Sequence, residues 1–293
     1  MRCLPGDESE RYRREVRSAS VPVLLYHSIT DTPEGRIAPF AVSPTAFQHQ
    51  LDLLVGAGYR CITFSELIEL RRSGGGSDGN AASDSRDGQR IAVITFDDGY
   101  ADFATAALPA LHARSLPSTM YLTTAWLRGA RGCDGAAMAV TLDWSQLPEL
   151  IAAGVELGAH SHSHPELDTL GASALREELT KPKQLLEEAL SRRVLTFAYP
   201  YGYNSPRVRR LTKAVGYESA AAVRNGVSPP DEDPFYVSRL TVTRATTSAQ
   251  FSSWLSGAEG ARRRQQESLA TKGWRAYRRG RVLVQGSSRA DHQ

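Results

Sequence analysis

The chain has 293 residues, a formal net charge of +3, 41% hydrophobic residues and 23% charged residues. This length can bury a full core and suits one large α/β domain or two small ones. The composition is ordinary for a soluble globular protein, and the small net charge gives no indication of a nucleic-acid partner. The three cysteines, Cys3, Cys61 and Cys133, are too widely separated to form a disulfide framework or a metal-ligand spacing.

No apolar stretch is long enough to cross a bilayer, and the first ten residues are too polar for a signal peptide. We therefore expect a soluble, cytoplasmic protein without a transmembrane segment. Action outside the cell or at its surface is the alternative if the true start lies upstream of Met1. The sequence leaves the oligomeric state open.

The first elements can be predicted from local signals. Residues 1–20 are charged and lack periodicity, which predicts a loosely ordered arm. Ser43 before Pro44 predicts a helix start, and the pattern from Thr63 to Glu66 predicts a capping box at a second helix. The segment 73–89 is rich in Ser, Gly and Asp, and it predicts a flexible surface insertion.

Short apolar runs predict eight strands, most of them separated by helical patterns. The runs lie at residues 21–26, 59–63, 91–96, 118–123, 155–159, 194–199, 218–223 and 235–240. This alternation favours a distorted (β/α) barrel, an α/β fold, over an open sheet. We expect the barrel to span residues 21–245.

Two helical patterns between the later strands have clear ends. One covers residues 173–190, and Pro182 inside it should cause a kink. The other covers residues 206–215, with Ser205 as its cap and Gly216 as its stop.

A helical and basic extension is expected over residues 246–293, where arginines and lysines cluster between Arg262 and Arg281. This cluster favours a solvated helix face. Contact with an anionic glycan, a phosphate or a membrane surface is the alternative.

Polar clusters follow two of the predicted strands. Asp97 and Asp98 come after the third strand, and the repeat from His160 to His164 comes after the fifth. In a closed parallel barrel the carboxyl ends of the strands meet at one rim, where active sites of this architecture lie. Taken alone, the Asp-Asp-Gly sequence is also typical of a turn that caps a helix, and the His-Ser repeat of a polar loop.

A carboxylate and two imidazoles form a three-ligand set that suits a catalytic divalent metal. Asp98 would be the carboxylate ligand, and the adjacent Asp97 would remain free to act as a base in metal-assisted hydrolysis. His160 and His164 can face one centre if a helical turn begins at His160. His162 would then point toward solvent or a second partner.

The turn after the sixth strand reads Tyr199-Pro200-Tyr201, and we predict that these residues contact the substrate. Pro200 has no N–H group, so the next amide, that of Tyr201, is left free to stabilise an oxyanion. A plain strand-to-helix turn with aromatic packing is the alternative. His27 after the first strand and Arg239 near the last strand are further candidates for the same rim.

Three segments carry a family resemblance. Thr95 to Gly99, the His160-Ser161-x-x-His164 pattern and Pro200-Tyr201 resemble the motifs of the NodB-like polysaccharide deacetylases, also called carbohydrate esterase family four. The resemblance runs from about Val21 to about Val242. The chain looks most similar to the biofilm-type poly-N-acetylglucosamine deacetylase branch.

The resemblance implies a role for each matched residue. Asp97 would be the general base, Asp98, His160 and His164 the metal ligands, and the Tyr201 amide the oxyanion donor. Zn²⁺ is the favoured metal, with Co²⁺ and Ni²⁺ as alternatives.

The chain departs from the family pattern at two places. Ala198 stands where members often carry an arginine, and the late Leu-x-His segment that supplies the general acid in many members is missing. Arg239 is our candidate replacement for that arginine. The acid is left open between His27 and a water at the metal, and a packing role for His27 is an equal alternative.

The implied activity is removal of N-acetyl groups from an amino-sugar glycan or its precursor by a metal-dependent hydrolase. The partner would be a carbohydrate that bears N-acetyl groups, with no nucleic acid involved. A deacylase of a small, non-polymeric N-acyl substrate and a non-catalytic glycan-binding barrel are the alternatives.

Overall fold

A computed structural model of the protein describes Arg13 and residues 17–33, 35–72, 90–129 and 137–256. The predicted insertion at 73–89, the basic cluster from Arg262 to Arg281 and most of the predicted arm lie outside these residues. In the described part of the arm, Arg17 donates a hydrogen bond from Nε to the carbonyl oxygen of Leu70, at 3.3 Å.

The described residues form ten strands. They are β1 (Val23–Tyr26), β2 (Ser28–Ile29), β3 (Ala41–Val42), β4 (Tyr59–Ile62), β5 (Arg90–Phe96), β6 (Ser118–Leu122), β7 (Val155–Ala159), β8 (Thr196–Ala198), β9 (Ser219–Ala221) and β10 (Leu240–Thr241). Eight of them make one parallel sheet in the order β10-β1-β5-β6-β7-β8-β9, with β4 paired to β5. Strands β2 and β3 form a small separate pair.

Seven α-helices occur in the same residues. They are α1 (Pro44–Gly56), α2 (Phe64–Arg72), α3 (Leu108–His112), α4 (Leu147–Ala152), α5 (Ala172–Leu190), α6 (Pro206–Val215) and α7 (Ser248–Leu255). The helix α5 continues through Pro182. None of the described helices has the length and apolar character needed to cross a membrane.

One short segment contacts both ends of the curled sheet. Val237 forms a parallel bridge with Ala221 of β9, and β10, three residues later, pairs with β1 through Leu240 and Leu24. The predicted distorted barrel of seven or eight strands is therefore confirmed. The predicted strand at 235–240 is reduced to this bridge and to β10.

Alternation along the strands separates two cores. Side chains such as Leu24 and Ile94 face outward into the large cluster that the surrounding helices cover. Side chains such as Val23, Val93 and Tyr121 face the inside of the barrel and form a smaller cluster. Because successive side chains in a strand point to opposite faces, a residue two positions beyond an inward residue also faces inward.

Helix α2 covers the amino-terminal end of the barrel. Phe64 and Ile68 of α2 belong to the inner cluster. The Phe64 amide donates to Thr119 Oγ1 at 2.9 Å, and the Ser65 amide donates to Glu156 Oε2 at 3.0 Å. Since Thr119 and Glu156 lie at the start of β6 and β7, the opposite end, where the strands finish, is left for the site.

The predicted helix starts are confirmed. Ser43 accepts a hydrogen bond from the Ala46 amide at 3.1 Å. Thr63 and Glu66 form a reciprocal capping box, in which the Thr63 amide donates to Glu66 Oε2 at 2.7 Å and the Glu66 amide donates to Thr63 Oγ1 at 3.3 Å. Ser205 caps α6 in the same way as Ser43 caps α1.

Candidate active site

Four predicted site residues lie at one rim of the barrel and face inward. His27 follows β1, Asp97 follows β5, His160 follows β7, and Arg239 precedes β10. Each stands two residues beyond an inward position of its strand or segment, as Arg239 does after Val237. The alternation of the strands therefore brings these distant residues to one rim.

Asp98, His160 and His164 converge on one point. Their ligand atoms all lie within 4.8 Å of one another, and all three residues are buried. Asp98 Oδ1 lies 3.2 Å from His164 Nε2 and 3.5 Å from His160 Nε2. Among the described residues, none donates a hydrogen bond to this buried oxygen. A buried oxygen anion facing two ring nitrogens fits a divalent cation.

The two histidines converge through a loop and do not need the helical turn at His160 that was the condition for their convergence. Ser161 and His164 have φ values of 63° and 62°, in the left-handed region. The His164 amide donates to Ser161 Oγ at 3.0 Å, which closes the loop. His162 points away from the centre, as predicted, and its Nδ1 lies 2.8 Å from Thr124 Oγ1.

The surroundings of the histidines prepare them as ligands. His160 Nδ1 lies 2.8 Å from the carbonyl oxygen of Ala198, so this nitrogen carries the proton and Nε2 offers its lone pair. Burial is the main cause that lowers the pKa of His160 to about 4, and the ring therefore stays neutral at pH 7. The Trp126 ring stacks on His164, with the centroids 4.8 Å apart.

Asp97 is paired with Arg239. The two guanidinium NH groups donate to Oδ1 and Oδ2 of Asp97, each at 2.7 Å, and Arg239 is fully buried. Burial acts to raise the pKa of Asp97, but the Arg239 guanidinium, together with His160 and His27, outweighs it and holds this pKa below its usual value. Asp97 is therefore ionised at neutral pH, with both oxygens held in a fixed orientation.

Arg239 is itself held by the barrel. Its Nε donates to the carbonyl oxygen of Ala222 at 3.1 Å, and one NH group donates to Thr95 Oγ1 at 3.2 Å. This arrangement supports the prediction that Arg239 replaces the arginine missing at Ala198. It follows from the geometry that Arg239 acts on Asp97 and is not a metal ligand.

His27 lies in the same cavity as Asp97 and Asp98, and its ring is 5.1 Å from that of Phe40. Its Nδ1 is buried and has no hydrogen-bond partner among the described residues. Burial is the largest cause that lowers the pKa of His27, and the two neighbouring carboxylates oppose it. The acid role of His27 stays a prediction.

The turn after β8 differs from the prediction. Tyr199 is fully buried, its hydroxyl donates to the carbonyl oxygen of Phe235 at 3.0 Å, and Pro200 is buried beside it. The Tyr199 side chain therefore faces away from the cavity, contrary to the predicted contact with substrate, because it is at an outward position after its strand. The predicted contact of Pro200 with substrate stays a prediction. Tyr201 has a φ of 57°, is 53% exposed, and its ring lies 4.6 Å from that of His164.

A cavity of about 950 Å³ opens above this centre. Beside the predicted residues, its walls include side chains from the turn Gly35–Phe40, from the segments after β9 and β10, and from α7. These are Phe40, Asn225, Thr243, Thr246, Gln250 and Trp254. These residues carry no motif, so only their position around the ends of barrel strands could have indicated them from the sequence.

Comparison with known proteins agrees with this geometry. Residues 84–220 match the profile of the family described as polysaccharide deacetylase. Over these residues the chain is similar to the polysaccharide deacetylase family. Members of this family are metal-dependent hydrolases that act on the carbon–nitrogen bond of N-acetyl groups, so the predicted enzyme class is confirmed. His27 and Arg239 lie outside the matched residues.

One curated relative of this chain is YxkH of Bacillus subtilis (strain 168), which is named after the polysaccharide deacetylases. It is 21% identical over 249 residues, which cover 85% of this chain and 81% of YxkH.

Several solved structures share the fold. The deacetylase PplD of Streptococcus pyogenes, in complex with acetate, matches with a TM-score of 0.68 and 20% identity, over 81% of this chain and 99% of PplD. IcaB from Ammonifex degensii matches with a TM-score of 0.62 and 23% identity, over 80% of this chain and 97% of IcaB. At these identities the two matches establish the barrel fold.

Proposed function

We propose that the protein is a metal-dependent hydrolase that removes N-acetyl groups from an amino-sugar glycan or its precursor. One observation carries the proposal: Asp98, His160 and His164 converge beside an Asp97 carboxylate that Arg239 holds in place. The non-catalytic glycan-binding alternative has no use for a buried, oriented and ionised carboxylate at this position.

The three converging residues would hold the metal. One carboxylate oxygen and two imidazole nitrogens suit Zn²⁺ best, with Co²⁺ and Ni²⁺ as alternatives. When bound, such a metal acts as a Lewis acid that polarises the acyl oxygen and lowers the pKa of water.

Asp97 would accept a proton from the water that attacks the acetyl carbonyl carbon. Because its pKa lies below the usual value, the carboxylate is available as a base throughout the neutral range. The Tyr201 amide would donate to the oxygen of the carbonyl group as negative charge develops there. The carbon–nitrogen bond then breaks, acetate is released, and the leaving nitrogen takes up a proton to form the free amine.

His27 is our candidate for the residue that supplies this last proton. It lies in the same cavity as Asp97 and Asp98. Its Nδ1 makes no hydrogen bond with any of the described residues, so this nitrogen is available to the substrate.

The walls of the cavity support a sugar as the substrate. Phe40 and Tyr201 are 37% and 53% exposed, and Trp254 adds a third aromatic side chain. Such side chains can cover the apolar faces of a sugar ring, while Asn225 and Gln250 offer hydrogen bonds to hydroxyl groups. Among the described residues that line the cavity, none is Lys or Arg. We therefore propose an uncharged N-acetylated sugar as the group bound.

The test is acetate release from a panel of acylated substrates by protein reloaded with Zn²⁺, Co²⁺ or Ni²⁺ after metal removal. The panel includes neutral N-acetylglucosamine oligomers, a carboxylate-bearing and a phosphate-bearing amino sugar, and a small non-sugar amide. Activity on the neutral oligomers supports the proposal. A preference for the non-sugar amide would support the alternative deacylase, and no acetate from any amino sugar with metal bound would overturn the proposal.

A further inference from the structure

The loop that carries the two ligand histidines has an unusual backbone. Ser161 and His164 both lie in the left-handed region, which residues with a Cβ atom rarely adopt. Because neither is glycine, contacts from outside the loop must keep this conformation. One such contact comes from the segment that follows β6: the Ala125 amide donates to the His162 carbonyl oxygen at 2.8 Å.

The other side of the loop is held by Glu178. Its Oε2 accepts hydrogen bonds from the amides of His162 and Ser163, each at 2.9 Å, and its Oε1 accepts one from Ser163 Oγ at 2.5 Å. All three donors belong to the two residues that follow Ser161 and precede His164. Hydrogen bonds to an ionised carboxylate are stronger than neutral ones.

Glu178 belongs to a helix that packs into the main core. It lies on α5, which buries Leu175, Leu179 and Leu186 in the main core. Its two oxygens are already occupied by the loop, and it is not among the three residues that could hold a metal. Its effect on the centre must therefore be indirect.

We propose that Glu178 is a positioning residue that fixes the directions of His160 and His164 toward Asp98. Without its carboxylate, the amides of His162 and Ser163 lose their partner and the left-handed residues beside them can relax. The ring nitrogens would then no longer share one point with Asp98. This inference rests on the metal centre of the proposed function.

The experiment uses the full-length protein without metal in four forms: wild type, Glu178→Ala, Glu178→Gln and Glu177→Ala. The affinity for Zn²⁺ is measured by competition with a chromophoric chelator, the visible spectrum of the Co²⁺ form reports ligand geometry, and the metal-free Tm reports folding. The neighbouring Glu177 is exposed, so its variant is the matched control.

Glu178→Ala should bind Zn²⁺ about tenfold to a hundredfold more weakly, as found when residues that orient metal ligands are lost, and its Co²⁺ spectrum should change. Glu178→Gln should recover most of the affinity, because its amide oxygen can accept the two N–H groups and its NH₂ group can donate to Ser163 Oγ. Glu177→Ala should match wild type in all three measurements.

Wild-type affinity and spectrum in a folded Glu178→Ala would overturn the inference and leave the proposed function intact. Failure of the wild type itself to bind any metal would instead overturn the proposed function. If the alanine variant does not fold, Glu178→Asp replaces it, since it keeps the charge but is one methylene too short. Unchanged metal affinity in that variant would also overturn the inference.

Discussion

The guanidinium group of Arg239 and the carboxylate of Asp97 form two parallel hydrogen bonds of 2.7 Å inside the barrel. The two residues are 142 positions apart, and both are buried. This fork-to-fork geometry fixes the plane of the carboxylate as well as its charge. The orientation of the proposed base is therefore set by a residue on the last segment of the barrel.

Arg239→Lys should lower kcat for acetate release by roughly 10²-fold. A lysine cannot hold both oxygens of Asp97, and a displacement of a catalytic group by about 1 Å can lower the rate by this factor. Metal affinity should change little. Steady-state kinetics with metal-loaded protein measures the effect, and Arg244→Lys, at an exposed position, is the control. Equal kcat in the Arg239 variant and wild type would show that the pairing has no role in turnover.

Asp97→Asn should reduce turnover by roughly 10²–10⁴-fold, because the amide cannot accept the proton from water. Affinity for the metal should remain, since Asp97 is not one of the three converging residues. Acetate assays and metal titrations on the same preparation separate the two effects. Wild-type turnover in this variant would show that the base is another group.

Addition of Zn²⁺ to the metal-free protein should raise Tm, because a ligand that binds only the folded state stabilises it by about RT ln(1 + [L]/Kd). The increase should vanish in His164→Ala, which removes one of the three ligands. Differential scanning calorimetry over a range of metal concentrations measures it. The same increase in the variant would place the bound metal elsewhere in the protein.

Glu156 should make stability depend on pH. Burial is the main cause that raises the pKa of its carboxyl, and hydrogen bonds from Ser65, Thr119 and Thr196 oppose it only in part. A raised folded-state pKa means that the contribution of this group to stability is present below the unfolded value, about 4.3, and is lost as the pH rises through the folded value. The free energy of unfolding of wild type minus that of Glu156→Gln should therefore fall as the pH rises above 4.3. A difference that stays constant or increases would contradict the assigned shift.

Trp254→Ala should raise KM for a neutral glycan about tenfold, equivalent to about 1.4 kcal/mol, while kcat changes less. Trp254 lines the cavity but lies outside the set of converging ligands. Ser252→Ala, at an exposed position on the same helix, is the control. An unchanged KM in a folded Trp254 variant would exclude α7 from substrate binding.

Much of the fold could be predicted from the sequence, because its signals are local. Ser43, the Thr63–Glu66 pair and Ser205 cap helices where the caps were expected. The motif residues also meet as predicted, since parallel strands of one barrel finish at the same rim.

The remaining features depend on contacts between distant residues. Tyr199 faces outward because successive residues of a strand point to opposite faces and it follows the inward Ala198. The prediction treated Tyr199 as part of the turn and did not use this alternation. The left-handed backbone conformation of Ser161 cannot be recognised from the sequence. An acidic residue on a helix, such as Glu178, ordinarily indicates a solvent-exposed face. The wall formed by α7 depends on where that helix docks, which no local pattern encodes.

The segment of residues 237–241 links closure of the barrel to the orientation of the proposed base. It touches both edges of the sheet and carries the guanidinium that aligns Asp97, yet it begins after the family match has ended at residue 220. A chain truncated before Val237 would keep the three motifs that resemble the deacetylase family, but Asp97 would lack the guanidinium group that orients it. Closure of the barrel and orientation of the Asp97 carboxylate would then depend on the same short segment.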